Sequence, residues 1–549
     1  MEEKEQKVSR REFVKYAGAA VGGLIVGGAI GYLTRGAPAE KTKTITSVKT
    51  EKATVTVTQT KTVTAATAAP QSVTKTETIT VTETTAATTP TGPGKYWTPT
   101  IESFKKLKEY FKGITLYGMD YPTPNAEAVK KVLPEFEELT GIHVVYELVD
   151  FDVMRERYTA DFVSKEGKWD LVSWAYQLIP EWANAGYLVP LEKFLNDPEV
   201  VGPYYKTEDL IESIWRVQMW RRGFTGPAYH YMICSKSDLF MMVYRKDLFE
   251  DPKNQKLFES KYGYELAPPK NFEQLLDVAE FFTKKFNPDS PIEYGFIQPY
   301  AVGDPICCSF YPLLFGFGTD FFDENYYPIF DNPSAVKACD LLKELLKYAP
   351  PGANVMHYDA AFGVYQTGKA AIMFNWDAFF PYLEDPEASP AVAGKNGYAP
   401  TPGGYSFRPS LGGWGWGINA FSKNQLATWK LIEFLTHPEM SVRLALMGGK
   451  PGRWSALKHP EVQAKWPWIK AFLASLEVAH FRPVILSFTE AIDETVGRAL
   501  SSVVLGEKSS YEALHEAVLK VYEIMERNGY YDVKPIIKEY PPPDLRRFI

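Results

Sequence analysis

Residues 114–174 alternate between a two-residue period of apolar positions, which is typical of a strand, and a helical period. The predicted order is strand, helix, strand, helix, strand, at residues 114–117, 125–139, 142–149, 154–164 and 169–174. Thr140-Gly141 ends the first helix, because glycine accepts the left-handed conformation of a helix C-terminus. Strands that alternate with helices predict an α/β fold with a parallel sheet covered on both faces.

The carboxyl ends of the first and third predicted strands carry polar and aromatic residues. Asp120 and Tyr121 follow the first strand, and Trp174, Tyr176 and Gln177 lie at the end of the third. Ligands of parallel sheets bind at these ends. Carboxylates and amides bind hydroxyl groups, and tryptophan offers a flat apolar face, although it is also a common core residue. These five residues are candidates for the wall of a ligand site.

A second candidate wall is the stretch 410–419, Ser-Leu-Gly-Gly-Trp-Gly-Trp-Gly-Ile-Asn, together with the preceding run 369–377. Glycines have no side chain and let the backbone come close to a ligand or to a neighbouring segment. Tryptophan stacks on the C–H face of a sugar ring. Gly413, Trp414 and Trp416 are therefore candidate ligand-binding residues. A core strand with glycines at a bulge is the alternative, and both interpretations stay open.

The N-terminus resembles a twin-arginine export signal. Residues 9–15 read Ser-Arg-Arg-Glu-Phe-Val-Lys and precede an apolar, glycine-rich run at 16–33. The Thr-rich segment 40–96 has almost no large side chains, so we predict a low-complexity stalk there. A stalk can hold a domain near the membrane only if the N-terminus stays attached to the membrane. We therefore expect residues 1–39 to anchor the protein at the extracytoplasmic face of the membrane, with release after cleavage as the alternative.

Composition narrows the possible functions. The chain has 549 residues, of which 45% are hydrophobic and 23% charged, so it can build two large lobes. A net charge of −7 argues against a nucleic-acid partner. The 4 cysteines and 7 histidines are scattered, and no phosphate-binding loop or metalloprotease motif occurs. We expect no metal and no cofactor.

An ordered set of short motifs extends over nearly all of residues 97–530. The motifs lie at 140–144, 170–176, 182–191, 242–249, 267–273, 368–371, 399–404, 410–419, 422–424, 427–436 and 482–483. In this order they resemble the family 1 extracellular solute-binding proteins of ABC importers. The resemblance implies a two-lobe periplasmic-binding-protein fold of type II, in which the chain crosses between lobes more than once and the ligand lies in the cleft.

The resemblance also implies how the chain is divided and what it does. Residues 97–232 with 398–450 would form the first lobe, and residues 233–397 with 451–549 the second. The protein would be a monomeric substrate-binding component that captures a sugar or oligosaccharide by lobe closure and delivers it to the ABC transporter permease. It would not be an enzyme. The alternatives are a secreted glycosidase, which uses similar carboxylates and aromatic platforms, and a receptor for a non-sugar polar solute.

The maltodextrin-binding members of this family imply four ligand contacts. They stack sugar on tryptophans at the positions of Trp174 and Trp376, and they use acidic residues matched by Asp120 and Asp238. Paired carboxylates suit a polyol, because each accepts charge-assisted hydrogen bonds from hydroxyl groups.

The sequence departs from that pattern at one place. Gln177 and Leu178 stand where those members have an Asp-Arg pair, so the identity of the sugar does not carry over. Arg453, which follows Pro-Gly, is a further candidate for the cleft, with a structural salt bridge as the alternative.

Overall fold

The computed structural model describes residues 57–63, 75–81, 93–405 and 407–532. The chain divides into two compact units, Met1–Gly92 and Pro93–Ile549. Within the first unit, strands β1 (Val57–Val63) and β2 (Lys75–Val81) pair antiparallel inside the segment predicted to be a stalk. Alternating β-branched threonine and valine favour such strands. The candidate export signal and anchor lie outside the described residues. Among the helices that are described, none is both long and apolar enough to cross a membrane.

The second unit consists of two α/β lobes, each built around one sheet, which confirms the predicted fold class. Its strands are β3 (Thr115–Asp120), β4 (His143–Leu148), β5 (Leu171–Ala175), β6 (Met219–Arg221), β7 (Ala228–His230), β8 (Met232–Lys236), β9 (Leu239–Arg245), β10 (Tyr294–Ile297), β11 (Ala370–Trp376), β12 (Asn396–Ala399), β13 (Ser410–Leu411), β14 (Trp414–Ile418) and β15 (His480–Phe481).

The sheet of the first lobe has the order β4-β3-β5-β14-β8. β3 pairs parallel with β4 and β5, whereas β14 runs antiparallel between β5 and β8. The sheet of the second lobe has the order β10-β11-β9-β13-β15, with β12 also beside β9. β6 and β7 form a separate hairpin. The parallel half of the first sheet is the part that the local sequence pattern predicted.

Helices cover both sheets. The α-helices are Lys108–Phe111, Pro124–Thr140, Phe151–Ser164, Ile179–Asn184, Glu192–Leu195, Glu212–Val217, Lys246–Phe249, Pro252–Tyr262, Phe272–Phe281, Asp304–Gly316, Pro333–Leu345, Tyr358–Gln366, Phe380–Leu383, Gln425–Thr436, Pro438–Leu446, Trp454–Leu457, Pro460–Lys465, Ile469–Val478, Gly497–Leu505 and Ser510–Arg527. A π-helix spans Thr489–Val496. Short 3-10 turns lie at Glu102–Leu107, Tyr176–Leu178, Pro203–Tyr205, Thr207–Asp209, Leu346–Tyr348, Ala353–Val355 and Asp377–Phe379.

The helix Pro124–Thr140 illustrates how local sequence sets an element. The Thr123 hydroxyl accepts a hydrogen bond from the backbone N–H of Ala126 at 3.3 Å and caps the N-terminus. Gly141 has a φ of +71° and ends the helix in the left-handed conformation. The predicted helix and its end are both confirmed, and the helix begins directly behind the end of β3.

The chain passes between the two sheets at segments that lie side by side. One passage falls between Lys236 of β8 and Leu239 of β9, and another joins β13 to β14. The backbone N–H of Gly412 donates to the Asp238 carbonyl at 2.7 Å, and that of Ser237 donates to the Lys450 carbonyl at 2.7 Å. We call these passages with Lys450 the hinge. The expected limits of the whole lobes stay a prediction.

Candidate functional site

A cavity of about 80 Å³ lies beside the hinge, where β3, β5, β8 and β11 end. The whole space between its lining atoms, part of which is open to solvent, is about 650 Å³. Six of the predicted site residues line it: Tyr121, Gln177, Asp238, Trp376, Gly413 and Trp414. The others, Asp120, Trp174, Tyr176, Trp416 and Arg453, lie behind its wall or farther away.

Trp376, the last residue of β11, is partly exposed and lines the cavity. A Cβ atom on Gly412 would lie 2.5 Å from its ring, so a glycine is required where the chain crosses it. The Arg482 guanidinium lies 5.2 Å from the ring centroid. Gly413 beside it has a φ of +121°, a conformation that strains any other residue.

Trp414 and Trp416 both lie on β14 but have different surroundings. Trp414 is partly exposed, lines the cavity, and has the Lys236 ammonium 3.9 Å from its ring centroid. Trp416 is 1% exposed and belongs to the core of the first lobe. It stands two residues, roughly 7 Å, farther along the strand from the cavity. The core interpretation therefore describes Trp416, and the wall interpretation describes Trp414.

Trp174 is fully buried under its neighbours. The Phe151 ring covers it at a centroid distance of 4.5 Å, and the Trp414 ring lies at 5.7 Å. In this structure its face is not available to a ligand, because the first residue of the helix Phe151–Ser164 packs on it.

Asp120 is fully buried and acts on the cavity through other groups. Its carboxylate accepts hydrogen bonds from the Tyr146 hydroxyl at 2.7 Å and from the backbone N–H of Tyr121 at 2.8 Å. The ammonium of Lys236, which lines the cavity, lies 3.7 Å away. The Asp120 carboxylate thus compensates the charge of the Lys236 ammonium and helps to hold it in position.

Tyr176 and Arg453 support the chain rather than line the cavity. The Tyr176 hydroxyl donates to the Leu411 carbonyl at 3.0 Å and accepts from the backbone N–H of Arg482 at 2.9 Å. Arg453 is 1% exposed, and its guanidinium donates to the carbonyls of Thr436, Lys206 and Tyr205 at 2.6 to 2.9 Å. Arg453 also lies 3.5 Å from the Asp209 carboxylate, which is the salt bridge that the structural alternative expected.

Two contacts tie the lobes across the cavity. The Tyr121 hydroxyl, after β3, donates to the Asp359 carboxylate of the helix Tyr358–Gln366 at 2.8 Å. Burial and the Asp359 charge raise the pKa of Tyr121, so the phenol stays a donor. On the other side, the Arg482 guanidinium donates to the Gln177 side-chain oxygen at 3.0 Å.

Several wall residues were missed by sequence reasoning: Phe151, Lys236, Asp304, His357 and Arg482. Asp304 accepts a hydrogen bond from the Tyr358 hydroxyl at 2.6 Å and lies 3.4 Å from the Arg482 guanidinium. Arg482 belongs to the family motif at 482–483, so the sequence could have identified it as a candidate. The sequence could not show that its side chain lines the cavity.

A buried charge cluster lies at the hinge behind the cavity. The Lys450 ammonium contacts the Asp377 carboxylate and lies 3.3 Å from Asp238. Burial raises the pKa of the Asp377 carboxyl to about 7, while Lys450 lowers it and Asp238 raises it by smaller amounts. Asp377 also accepts a hydrogen bond from the backbone N–H of Leu239 at 2.8 Å, which connects the cluster to the passage between the sheets.

This cluster predicts a pH dependence of stability. The pKa of an aspartate in the unfolded chain is about 4, and that of Asp377 in the folded protein is about 7. At pH values between these two, the folded protein binds one more proton than the unfolded protein. The contribution of Asp377 to the free energy of unfolding is therefore present at low pH and falls as the pH rises to about 7. We expect thermal melts at pH 5 and pH 8 to differ less for Asp377→Asn than for the wild type. An equal difference in both proteins would contradict the assignment.

The comparisons with known proteins agree on one protein family. A family model for bacterial extracellular solute-binding proteins matches residues 120–441. A probable amino-acid ABC transporter periplasmic-binding protein of Sinorhizobium fredii is 25% identical over 419 residues, 74% of this chain and 88% of the relative. The mannitol-binding protein of Pseudomonas aeruginosa is 24% identical over 417 residues, 72% and 89% of the two chains.

A solved structure has the same fold. The ABC transporter solute-binding protein of Agrobacterium radiobacter K84, in complex with ribitol, superposes with a TM-score of 0.66 at 24% identity. The match covers 75% of this chain and 99% of that one.

Proposed function

The chain belongs to the bacterial extracellular solute-binding proteins, and we propose that it captures a carbohydrate outside the cell membrane and delivers it to the permease of an ABC importer. The observation that carries the carbohydrate assignment is the cavity wall. The partly exposed Trp376 ring lies among charged and amide groups, namely Gln177, Asp238, Asp304 and Arg482. Such a wall offers both an apolar platform and hydrogen-bonding partners to a polyhydroxy ligand.

Closure of the lobes is the proposed capture step. Tyr121–Asp359 and Gln177–Arg482 each join one lobe to the other, so these contacts require the closed form. A ligand that touches both walls favours that form over the open one, since only the closed form provides all of its contacts. The permease then distinguishes closed, loaded protein from open, empty protein.

The proposed function involves binding without chemical turnover. The relatives carry the names of binding proteins, which supports this proposal over a glycosidase. Recovery of unchanged carbohydrate after long incubation with the protein is the expected result, and hydrolysis of a glycosidic bond would contradict it.

We propose that the N-terminal segment exports and tethers the receptor. The twin-arginine motif at 9–15 suits export of a folded protein, and the apolar run at 16–33 suits retention in the membrane. The intervening Thr-rich segment then keeps the receptor near its permease.

A thermal-shift screen of the full-length protein tests the function. D-mannitol, ribitol, D-glucose and maltose are compared with leucine, glutamate and phosphate. A ligand at a hundredfold excess over its Kd adds about 2.7 kcal/mol to the free energy of unfolding, which raises the Tm by several degrees. We expect this rise with a carbohydrate. A rise with leucine or glutamate alone, after removal of any co-purified ligand, would contradict the carbohydrate assignment.

A further inference from the structure

We propose that the β6–β7 hairpin closes on the second lobe as a clasp, and that its Phe224 ring stabilises the closed form without touching the ligand. The clasp is the contact between Phe224 and Tyr530, neither of which lines the cavity. This inference rests on the proposed capture by lobe closure. It makes Phe224 a positioning residue, which acts on binding through the equilibrium between the open and closed forms.

The hairpin is fixed to the first lobe. Its second strand, β7, leads directly into β8 of the first sheet. At the tip, the backbone N–H of Gly223 donates to the Asn184 side-chain oxygen at 2.8 Å, at the end of the helix Ile179–Asn184 that follows β5. The Arg221 guanidinium donates to the Gly226 carbonyl at 3.1 Å and closes the turn. The tip therefore moves with the first lobe.

Tyr530 is fixed to the second lobe. It follows the last described helix, Ser510–Arg527. The Ser510 hydroxyl donates to the Asp340 carboxylate of the helix Pro333–Leu345 at 2.5 Å. The helix that precedes Pro333–Leu345 packs against it and against β9 and β13 of the second sheet. A contact between Phe224 and Tyr530 therefore joins the two lobes.

The clasp is a buried aromatic contact. The Phe224 and Tyr530 rings meet edge to face, with a centroid distance of 4.8 Å and an interplanar angle of 65°. Both side chains are buried. Trp220 of β6 lies behind Phe224 at 5.8 Å, and Tyr326 lies against Tyr530 at 5.2 Å. Edge-to-face pairs of this kind are stabilising, so the clasp favours the form in which the lobes are together.

The backbone of Phe224 is in an unfavourable conformation. Its φ is +63°, in the left-handed region that a bulky side chain rarely adopts. Gly223 and Gly226 stand on either side, so the same turn uses glycine at positions where only the backbone matters. A strained residue persists where its surroundings hold it in place. The contact of the Phe224 ring with the opposite lobe gives a reason for a phenylalanine here.

The clasp is connected to the cavity on both lobes. On the first lobe, Asn184, which holds the tip of the hairpin, lies one short helix after Gln177. On the second lobe, the Tyr530 hydroxyl accepts from the backbone N–H of Leu486 at 2.7 Å, in the segment that follows Arg482. Gln177 and Arg482 are the residues that join the lobes at the cavity. A movement that brings this pair together therefore also brings the clasp together.

This connection predicts how the clasp affects affinity. Ligand and clasp favour the same closed form, so the clasp supplies part of the free energy of closure that the ligand would otherwise have to supply. The apparent Kd depends on the fraction of protein that is competent to bind. Loss of the clasp should therefore raise the Kd of every ligand by the same factor.

Isothermal titration of full-length Phe224→Ala, after removal of co-purified ligand, tests the clasp. The probes are D-mannitol, ribitol, D-glucose and maltose. We expect the Kd to rise about three- to tenfold, by the same factor for each probe that binds the wild type. Phe224→Leu keeps an apolar side chain and should show a smaller rise, which decides the matter if Phe224→Ala does not fold. An unchanged Kd, or a rise for one probe and not for another, would overturn the inference and leave the proposed function intact.

Tyr326→Ala is the matched control for Phe224→Ala. Tyr326 also contacts the Tyr530 ring and also has a left-handed backbone, with a φ of +65°, but it belongs to the second lobe itself. We expect Tyr326→Ala to leave the Kd unchanged. An equal rise in both variants would show that the effect comes from the packing of Tyr530 within one lobe, against the clasp.

A distance between the lobes provides a readout that needs no ligand. The four cysteines are buried, so spin labels can be placed selectively on Lys131→Cys and Lys256→Cys, which are exposed positions of helices in the first and the second lobe. In the empty protein we expect Phe224→Ala to shift the distances towards those of the open form. If no probe binds the wild type, the proposed function fails, and identical distances in the wild type and Phe224→Ala would then overturn the clasp as well.

Discussion

Replacement of Trp376 by alanine is expected to weaken carbohydrate binding roughly 30-fold, a loss of about 2 kcal/mol. Trp376 is a partly exposed aromatic residue of the cavity wall, with Gly412 against its ring and the Arg482 guanidinium 5.2 Å from the ring centroid. Truncation removes the face on which the C–H groups of a sugar stack. Titration calorimetry with the carbohydrate that gives the largest thermal shift measures the loss.

Trp416→Ala is the matched control, on strand β14 in the sheet of the first lobe. Trp416 is 1% exposed and packed in the core of the first lobe, so this variant leaves a large cavity away from the ligand. We expect it to lower the free energy of unfolding by about 3–5 kcal/mol, with an unchanged Kd for the folded fraction. If Trp416→Ala weakens binding and Trp376→Ala does not, the site assignment is wrong.

Replacement of Lys450 by methionine is expected to destabilise the protein by about 3–5 kcal/mol at pH 8. Lys450 is 1% exposed, and it neutralises Asp377 and Asp238 at the hinge. Without the ammonium, two carboxylates remain buried with no opposite charge between them. The loss should be smaller at pH 5, because burial already raises the pKa of Asp377 to about 7 and the carboxyl then takes up a proton.

The double variant Lys450→Met/Asp377→Asn separates charge from packing. Removal of the Asp377 charge should recover part of the stability at pH 8 and abolish much of the difference between pH 8 and pH 5. Denaturant titrations at both pH values measure this. Equal stability of the single and double variants at pH 8 would show that Lys450 acts through packing, against the charge-cluster interpretation.

Local sequence was sufficient for the first lobe up to β5. The periods of apolar residues predicted β3, β4, β5 and the helices between them, and Thr140-Gly141 predicted a helix end that the structure confirms. These elements are consecutive in the chain, so their pattern is set by neighbours in sequence. Strand β14, which runs antiparallel to its neighbours, and strand β8 join this sheet from distant segments, and no local period reports such a pairing.

The prediction of the candidate site was limited in the same way. Residue type and strand position identified Tyr121 and Trp414 as candidates, the family resemblance implied Asp238 and Trp376, and all four line the cavity. Sequence could not separate Trp414 from Trp416, because both lie on one strand and differ only in their distance from its edge at the cleft. Nor could it show that Phe151, from a different element, covers Trp174.

By itself, then, the sequence determined the α/β class, the order of the elements, and the residue types that suit a polyhydroxy ligand, since these depend on periodicity and side-chain chemistry. The tertiary structure alone decided which faces are free and which charges are paired. Arg482 follows β15, yet it bonds to Gln177 after β5 and lies over the Trp376 ring. Gln177 and Arg482 are about 300 residues apart and meet there because the fold brings the two lobes side by side, a meeting that no local pattern reports.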